Sequence, residues 1–168
     1  MIAKKFEAIM KQSNPAAKEY DHIQTLLERL STNVRDQLRD LQKAAGDENV
    51  AQLRQIVDRD REIDALELDL NRQARSFMEL RAPLGPDFRH IMKVLEIASD
   101  LERIGDCIEY VARHISQSFA LKSAMPEGWD LIATMMSKCH ELLDLSHSAW
   151  KRTDVHLAER LPRQDEEV

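Results

Sequence analysis

The chain has 168 residues, of which 43% are hydrophobic and 32% are charged. A chain of this length corresponds to about one domain and can bury about two-thirds of its unfolded surface, so a folded protein is expected. Its four glycines and five prolines make up about 5% of the residues, against a usual share of about 12%. This scarcity of turn residues disfavours sandwiches, barrels and Rossmann-like folds.

The charge balance and the cysteines exclude several classes of protein. Aspartate and glutamate outnumber lysine and arginine by 30 to 24, for a net charge of −6, which argues against a general nucleic-acid binder and against docking on anionic lipid. With only Cys107 and Cys139, a disulfide framework is not expected and a reducing compartment fits. No apolar run approaches the length of a membrane span, and the first residues lack the pattern of a signal peptide. We therefore expect a cytoplasmic protein.

Helix-breaking residues divide the chain into four long stretches. The breakers are Pro15, Gly46, the Pro83–Pro86 run, Pro126–Gly128 and Pro162, and the stretches between them are 16–45, 47–82, 87–125 and 129–161. Each stretch carries apolar residues at steps of three and four, the period of an amphipathic α-helix. Long helices joined by short turns pack as antiparallel neighbours. The pattern therefore predicts an all-α, up-down antiparallel three-helix bundle plus a fourth long helix, with a further short helix over 3–12 and a frayed tail over 163–168.

Each stretch has a seam, which is the row of mainly apolar residues along one face of the expected helix. In the first stretch the seam runs Ile23, Leu27, Leu30, Val34, Leu38, Leu41, Ala45, and in the third Ile91, Val94, Ala98, Leu101, Gly105, Ile108, Ala112, Ile115. In the second stretch the seam runs Leu53, Ile56, Asp60, Ile63, Glu67, Leu70, Ala74, Phe77. Because unpaired buried carboxylates are costly, Asp60 and Glu67 are expected to be rotated to the rim, paired with arginine, or bound to a cation.

An internal repeat connects the first and fourth stretches. A shift of 105 residues pairs Leu27 with Ile132, Leu30 with Met135, Val34 with Cys139, Leu38 with Leu143, Val50 with Val155, Ile56 with Leu161, Asp60 with Asp165 and Ile63 with Val168. The shift predicts a duplication in which 1–125 is a three-helix repeat and 126–168 begins a second, incomplete one. Pro162 falls opposite Val57, inside a helix of the first copy, so the second copy departs from the first there.

The fourth stretch is apolar on two sides. One side carries Leu131, Met135, Leu142 and Leu145, and the other carries Ile132, Met136, Cys139, Leu143 and Trp150. One side can cover the other helices, while the second is left as an apolar patch of the kind that marks an interface. The pattern favours self-association as a homodimer, or an absent partner segment; the alternative is a monomeric four-helix bundle with an apolar edge.

Two pairs of carboxylates at helical spacing are candidate metal ligands. Glu102 and Asp106 lie four residues apart in the third stretch, and Asp60 and Asp64 lie four residues apart in the second, so each pair shares one helix face. On adjacent helices the four carboxylates could surround a hard cation such as Mg²⁺, Ca²⁺, Mn²⁺ or ferric iron. Acidic pairs are also common on solvated faces, so spacing alone leaves both readings open. Gly105 costs about 1 kcal/mol relative to alanine inside a helix, which suggests close approach by a neighbouring helix.

Two connected motifs resemble a known family. The run Arg81-Ala82-Pro83-Leu84-Gly85-Pro86-Asp87-Phe88-Arg89, followed by Ile97-Ala98-Ser99-Asp100-Leu101-Glu102-Arg103-Ile104-Gly105-Asp106, resembles the R-x-P hinge, the D-L-R and the D-L-E-R-I-G-D helix of the PhoU family of phosphate-signalling regulators. The stretch 58–67 also resembles the second helix of that family. The likeness covers about residues 20 to 120 well and 128 to 160 loosely.

The resemblance implies a function, partners and site residues. Members of the family are non-catalytic cytoplasmic proteins, usually two tandem three-helix bundles. They couple a phosphate ABC transporter, through its ATPase, to a sensor histidine kinase and restrain the phosphate-starvation response. Some bind metal clusters through E/D-x-x-x-D motifs, which implies a hard metal ion such as iron, manganese or magnesium at Asp60, Asp64, Glu102 and Asp106. The hinge residues Arg81, Asp87 and Arg89, with Arg103 in the acidic motif, are the candidate partner-binding residues.

The chain also departs from the family pattern. The second acidic motif is missing, Phe88 replaces the usual leucine, and Cys107 stands where members often have histidine. The cysteine removes a potential nitrogen ligand. A salt-bridge network with Arg59 and Arg103 is the alternative to a metal at the acidic motifs.

Three other features support weaker hypotheses. His140, Asp144 and His147 share a helix face and could bind zinc, although a solvated face is the commoner explanation. Cys139-His140-Glu141-Leu142 faintly resembles a phosphoacceptor box but lacks the nucleotide-binding region that should follow. The single E-x-x-H at 19–22 is half of what a di-iron centre needs. A carboxylate-bridged metal enzyme and a structural oligomerisation module thus remain as alternatives to a regulator.

Overall fold

A computed structural model describes residues 15–122 and 124–165, and all regular structure in these ranges is helical. The helices are α1 (Pro15–Gly46), α2 (Val50–Arg81), α3 (Gly85–Ser118), α4 (Pro126–Arg152) and α5 (Val155–Asp165), with a 3₁₀ turn at Phe119–Leu121. Three long helices joined by short turns, followed by a fourth long helix, confirm the predicted all-α fold class. The short helix predicted over 3–12 lies outside the described residues.

The seams predicted for α1 and α3 form the core. Every residue of both seams is buried, Gly105 included, and Leu26 and Ala44 join them on α1. The core is almost wholly aliphatic. Burial of this kind stabilises a helix by about 1.5–3 kcal/mol for each large aliphatic side chain, before the entropy of ordering is subtracted.

Helix α2 is rotated slightly from its predicted seam. Leu66 is buried beside Ile63 and Leu70, whereas Asp60 and Glu67 are half-buried at the rim. The Glu67 carboxylate accepts a hydrogen bond from the Asn71 amide, one turn further on. Rotation to the rim, the first of the expected solutions, leaves both residues half-buried, although Asp60 Oδ1 is itself shielded from solvent.

Two predictions about the C-terminal part are wrong. The fourth stretch is not one helix over 129–161, because α4 ends at Arg152 and Thr153 adopts a left-handed φ of 53°. Pro162 does not end a helix but lies inside α5, which continues through 163–165 where a frayed tail was expected. Proline removes the hydrogen bond to the carbonyl of Ala158, and since both residues are exposed, water can replace that bond.

The two helix junctions repeat each other at a shift of 105 residues. Glu48 and Thr153 both have a φ of 53°. At the next position, the Asn49 side chain accepts a hydrogen bond from the Gln52 backbone N–H at 3.0 Å, and Asp154 accepts one from Leu157 at 2.9 Å. Their own backbone N–H groups donate to the carbonyls of Ala44 and Ala149, both at 2.9 Å. The α1–α2 and α4–α5 junctions therefore share one helix-ending and helix-capping arrangement, which supports the predicted duplication.

The fold divides into two compact units. The first contains the described residues up to Thr32 together with Arg61–Arg103, and the second contains Asn33–Asp60 and the residues from Ile104 onward. In the first unit the start of α1 meets the end of α2, where Arg81 pairs with Glu19. In the second unit Asp40 of α1 pairs with Arg59 of α2 at 2.6 Å, and α5 packs against α4.

None of the helices in the described ranges is both long enough and apolar enough to cross a membrane.

Candidate functional site

Three of the four predicted metal ligands come together. One carboxylate oxygen from each of Asp60, Asp64 and Asp106 lies within 4.8 Å of the others, and we call this group the acidic triad. Asp60 and Asp64 are one turn apart on α2, and Asp106 lies on α3. Asp60 is half-buried, while Asp64 and Asp106 are exposed. The spacing of four residues within a helix thus places two of the three ligands, and the packing of the helices supplies the third.

Glu102 is not part of the acidic triad. Its side chain is half-buried one turn before Asp106 on α3, and the group of close carboxylate oxygens does not include it. Between the two, Gly105 is buried. Cys107, which directly follows Asp106, is exposed and has a free thiol.

The arginines expected to neutralise these carboxylates pair elsewhere. The Arg59 guanidinium donates to Asp40 on α1 at 2.6 Å. Arg103 contacts Asp100 on its own helix, at a long 3.4 Å. Among the described residues, neither Asp64 nor Asp106 forms a hydrogen bond or ion pair. Asp64 and Asp106 are therefore not neutralised by either arginine in the described residues.

The donor set of the acidic triad fits a hard cation. Three carboxylate oxygens suit Mg²⁺, Mn²⁺, Ca²⁺ or ferric iron, all of which prefer oxygen ligands and can complete their coordination with water. Without a cation, three negative charges lie close together on a partly solvated surface, and they repel one another. The exposure of Asp64 and Asp106 leaves room for water or another ligand on the solvent side.

A second group of polar side chains surrounds the hinge between α2 and α3. Arg81 donates from Nε and an Nη to the two oxygens of Glu19 at 2.9 and 2.8 Å, across 62 residues. This bidentate hydrogen bonding lowers the pKa of Glu19 and raises that of Arg81. Arg81, predicted as a partner-binding residue, is thus already engaged within the fold, and it joins the end of α2 to the start of α1.

Tyr20 on α1 and His90 on α3 are half-buried and lie in contact with each other near the hinge between α2 and α3. The Tyr20 ring lies 6.1 Å from Phe77 and 5.5 Å from His90, centroid to centroid. Burial raises the pKa of Tyr20, and the charges of Asp87 and Asp21 add to this effect. Burial lowers the pKa of His90, with Asp87 opposing it. His90 Nε2 lies 2.9 Å from the Gln24 amide nitrogen, and with its proton on Nδ1 the ring accepts a hydrogen bond there.

No pattern in the sequence singles out Tyr20, Gln24 or His90. Their partners lie 57 to 70 residues away along the chain, so no local spacing reveals them. The other predicted partner-binding residues, Asp87, Arg89 and Arg103, are exposed. Next to the hinge, Leu80 and Leu84 are also largely exposed.

Two of the three weaker hypotheses, the zinc site and the di-iron half-site, find little support in the structure. Asp144 accepts from Arg35 Nε at 2.5 Å, and its other oxygen lies 3.7 Å from His140 Nδ1. The described residues show one group with three metal-ligand atoms close together, and it is the acidic triad, so His147 does not complete a zinc site. Glu19 of the E-x-x-H run is bound by Arg81. Asp144 therefore forms an ion pair with Arg35 that joins α4 to α1.

The chain is similar in sequence to proteins of one known family. The PhoU domain matches residues 27–115, a range that contains the whole acidic triad. A "Phosphate-specific transport system accessory protein PhoU homolog" of Zymomonas mobilis is 41% identical over 61 residues, 36% of this chain and 26% of the relative. The homolog of that name from Deinococcus radiodurans is 31% identical over 112 residues, 65% of this chain and 50% of the relative. The PhoU protein of Edwardsiella tarda is 24% identical over 89% of this chain and 61% of its own length.

A solved structure shows the same fold. The crystal structure of PhoU from Pseudomonas aeruginosa superimposes with a TM-score of 0.82, covering 89% of this chain and 71% of that one, at 24% identity. The chain thus spans between about a quarter and 61% of the three curated relatives described.

Proposed function

Because the chain belongs to the PhoU family, as the domain match over more than half of its residues shows, we propose that it is a regulator of phosphate transport. It acts by binding other proteins rather than by catalysis. Its partners are the ATPase of a phosphate ABC transporter and a sensor histidine kinase, and it restrains the phosphate-starvation response. This role places it in the cytoplasm, where both partners expose their regulatory domains. The observation that carries the proposal is the domain match at residues 27–115, together with the accessory-protein names of the relatives.

The acidic triad is the proposed metal site of this regulator. Asp60, Asp64 and Asp106 would hold a hard cation such as manganese, iron or magnesium, which would supply charge neutralisation and a rigid link from α2 to α3. The ion would fix the relative position of these helices, and with it any surface that a partner recognises. Metal analysis of protein purified without chelators, compared with an Asp60/Asp64/Asp106→Asn triple variant, tests this assignment. Equal metal content in the two proteins would refute it.

The regulatory role is tested in a host strain that lacks its own copy of the gene. The double variant Glu102→Ala/Asp106→Ala should leave a phosphate-starvation reporter active in high phosphate, while circular dichroism shows the helical fold intact. Asp36→Ala is the control, since Asp36 is a half-buried carboxylate on α1 that pairs with Arg39 of its own helix. Full repression by the double variant would remove the function assigned to the acidic residues and favour a purely structural module.

Direct binding is measured with the purified transporter ATPase and the cytoplasmic part of the kinase. Arg89→Ala and Asp87→Ala, at exposed positions of the first turns of α3, should weaken one of the two complexes. Arg39→Ala, an exposed arginine on α1, serves as the control. Affinity for both proteins that is unchanged in the hinge variants would exclude the hinge as a docking surface.

A further inference from the structure

A cleft lies between the first turns of α2 and the last turns of α3, away from the acidic triad and the hinge. It lies wholly within the second compact unit and has a volume of about 530 Å³. Near one end of the cleft, Lys122 pairs with Glu48 at 2.9 Å and joins the residues that follow α3 to the α1–α2 junction. Small-molecule sites in proteins are about 300–1,000 Å³, so the cleft has the size of such a site.

The floor of the cleft is apolar. Leu53 on α2 and Ala112 on α3 are buried, and both line it. Val50 and Val57 lie about one turn before and one turn after Leu53 on the same helix face, and they extend the apolar lining towards solvent. Water in contact with these side chains is displaced favourably by an apolar group, so the floor favours a ligand with an apolar body.

The rim of the cleft carries hydrogen-bond donors from both helices. Arg54 is exposed on α2, and among the described residues it forms no hydrogen bond or ion pair. Arg113 on α3 donates to Glu109 of its own helix, which uses one of the five N–H groups of its guanidinium. Gln117, one turn further along α3, is exposed and adds a side-chain amide. These donors suit a ligand that presents oxygen acceptors.

The balance of charge in the lining favours an anion. The charged residues of the lining are Arg54, Arg113 and Asp58, so the cleft carries an excess of positive charge on a chain whose net charge is −6. A guanidinium binds the oxygens of a carboxylate or a phosphate through paired, charge-assisted hydrogen bonds. A neutral or cationic ligand would leave these donors unused.

We propose that the cleft binds a small organic anion, which has a compact apolar body and one carboxylate or phosphate group. The apolar body lies over Leu53 and Val57, and Arg54 holds the anionic group, with Arg113 and Gln117 as further donors. The proposal goes beyond the regulatory function proposed above and does not depend on it, because neither the acidic triad nor the hinge contributes a residue to the cleft.

Isothermal titration calorimetry of the full chain with three probes tests the proposal. 3-Phenylpropionate and phenyl phosphate combine an aromatic body with a carboxylate or a phosphate, whereas 3-phenylpropanol carries a similar body without a charge. At least one anion should bind with a dissociation constant of about 0.1–1 mM, and the alcohol should bind about 10-fold more weakly or not at all. The anion that binds more tightly identifies the preferred oxyanion.

Three variants locate the binding. Arg54→Gln should weaken binding of the tighter anion about 10-fold, because a charge-assisted hydrogen bond is lost. Asp58→Asn should strengthen it about two-fold, because a negative charge leaves the lining. Arg75→Gln is the matched control, since it makes the same change at an exposed position of the same helix outside the cleft and should leave the affinity unchanged.

Circular dichroism should show all three variants folded, because each position is exposed. No binding of either anion up to about 5 mM would overturn the proposal, since that concentration would detect even a weak site. Equal affinity for the alcohol and the anions, or equal weakening by Arg54→Gln and Arg75→Gln, would also overturn it.

Discussion

Neutralising one member of the acidic triad should have opposite effects on stability with and without a cation. Asp106 has an oxygen within 4.8 Å of oxygens on both Asp60 and Asp64. At that separation two unit charges in water repel by about 0.9 kcal/mol, and physiological salt reduces this to about 0.5 kcal/mol. Asp106→Asn removes two such pairs. In the presence of EDTA the variant should therefore be more stable than the wild type by about 1 kcal/mol, or about 2–4 °C in melting temperature.

Manganese should make the wild type more stable than the Asp106→Asn variant. A ligand present at 100 times its dissociation constant stabilises the folded state by about 2.7 kcal/mol. The wild type should gain this amount as MnCl₂ is added, whereas Asp106→Asn, with two carboxylates left, should gain much less. Urea unfolding with EDTA and with MnCl₂ measures both effects, because the linear extrapolation yields the free energy of unfolding directly.

Asp100→Asn is the control for this experiment. Asp100 is exposed on the same helix and contacts Arg103 at 3.4 Å, so its loss should change stability by less than about 0.5 kcal/mol in either condition. An Asp106→Asn variant that is less stable than the wild type in EDTA would show that repulsion in the triad does not govern stability. A manganese response of the same size in both proteins would show that Asp106 is not a ligand.

Three further predictions concern the core, the second junction and the hinge. Leu30→Ala should lower the free energy of unfolding by about 2–5 kcal/mol, measured by urea titration, because Leu30 is fully buried. Thr153→Gly should raise it by about 0.5–1 kcal/mol, because a β-branched residue is strained at a φ of 53° and glycine is not; a less stable variant would contradict this. The pKa of His90 is lower in the folded protein than in the unfolded chain, so the unfolded chain binds a proton on this side chain more tightly. The melting temperature should therefore fall as the pH drops below 6.5, the pKa in the unfolded chain, and it should level off below the pKa in the folded protein. His90→Gln should flatten that part of the pH profile, and an unchanged profile would refute the assignment.

Local pattern predicted much of this fold. The spacing of apolar residues along α1 and α3 identified every residue of both seams as buried, because a helix with one apolar face has one way to place it in a bundle. The carboxylates at 60 and 64 were correctly placed on one helix face for the same reason. The PhoU resemblance rested on motifs that occupy consecutive turns, and these too are visible in the linear sequence.

The errors arose where local signals compete with packing. Pro162 was taken as a helix end, but one lost hydrogen bond on a solvated surface does not outweigh the packing of α5 on α4. The break at Thr153 has no glycine to mark it, although the shift of 105 residues from the first junction predicts its position. Glu67 was placed on the seam of α2, and a small rotation of the helix buried Leu66 there.

The sequence by itself determined the helices and their buried faces, because these depend on periodicity and on capping residues within a few turns. Only the tertiary structure decided which distant groups meet. It brought Asp106 to Asp60 and Asp64 while leaving Glu102 outside, and it paired Arg81 with Glu19, 62 residues away along the chain. Such choices depend on helix rotation and side-chain geometry across separate helices, where a shift of one residue turns a side chain by about 100°. The spacing of residues along the chain does not determine that angle.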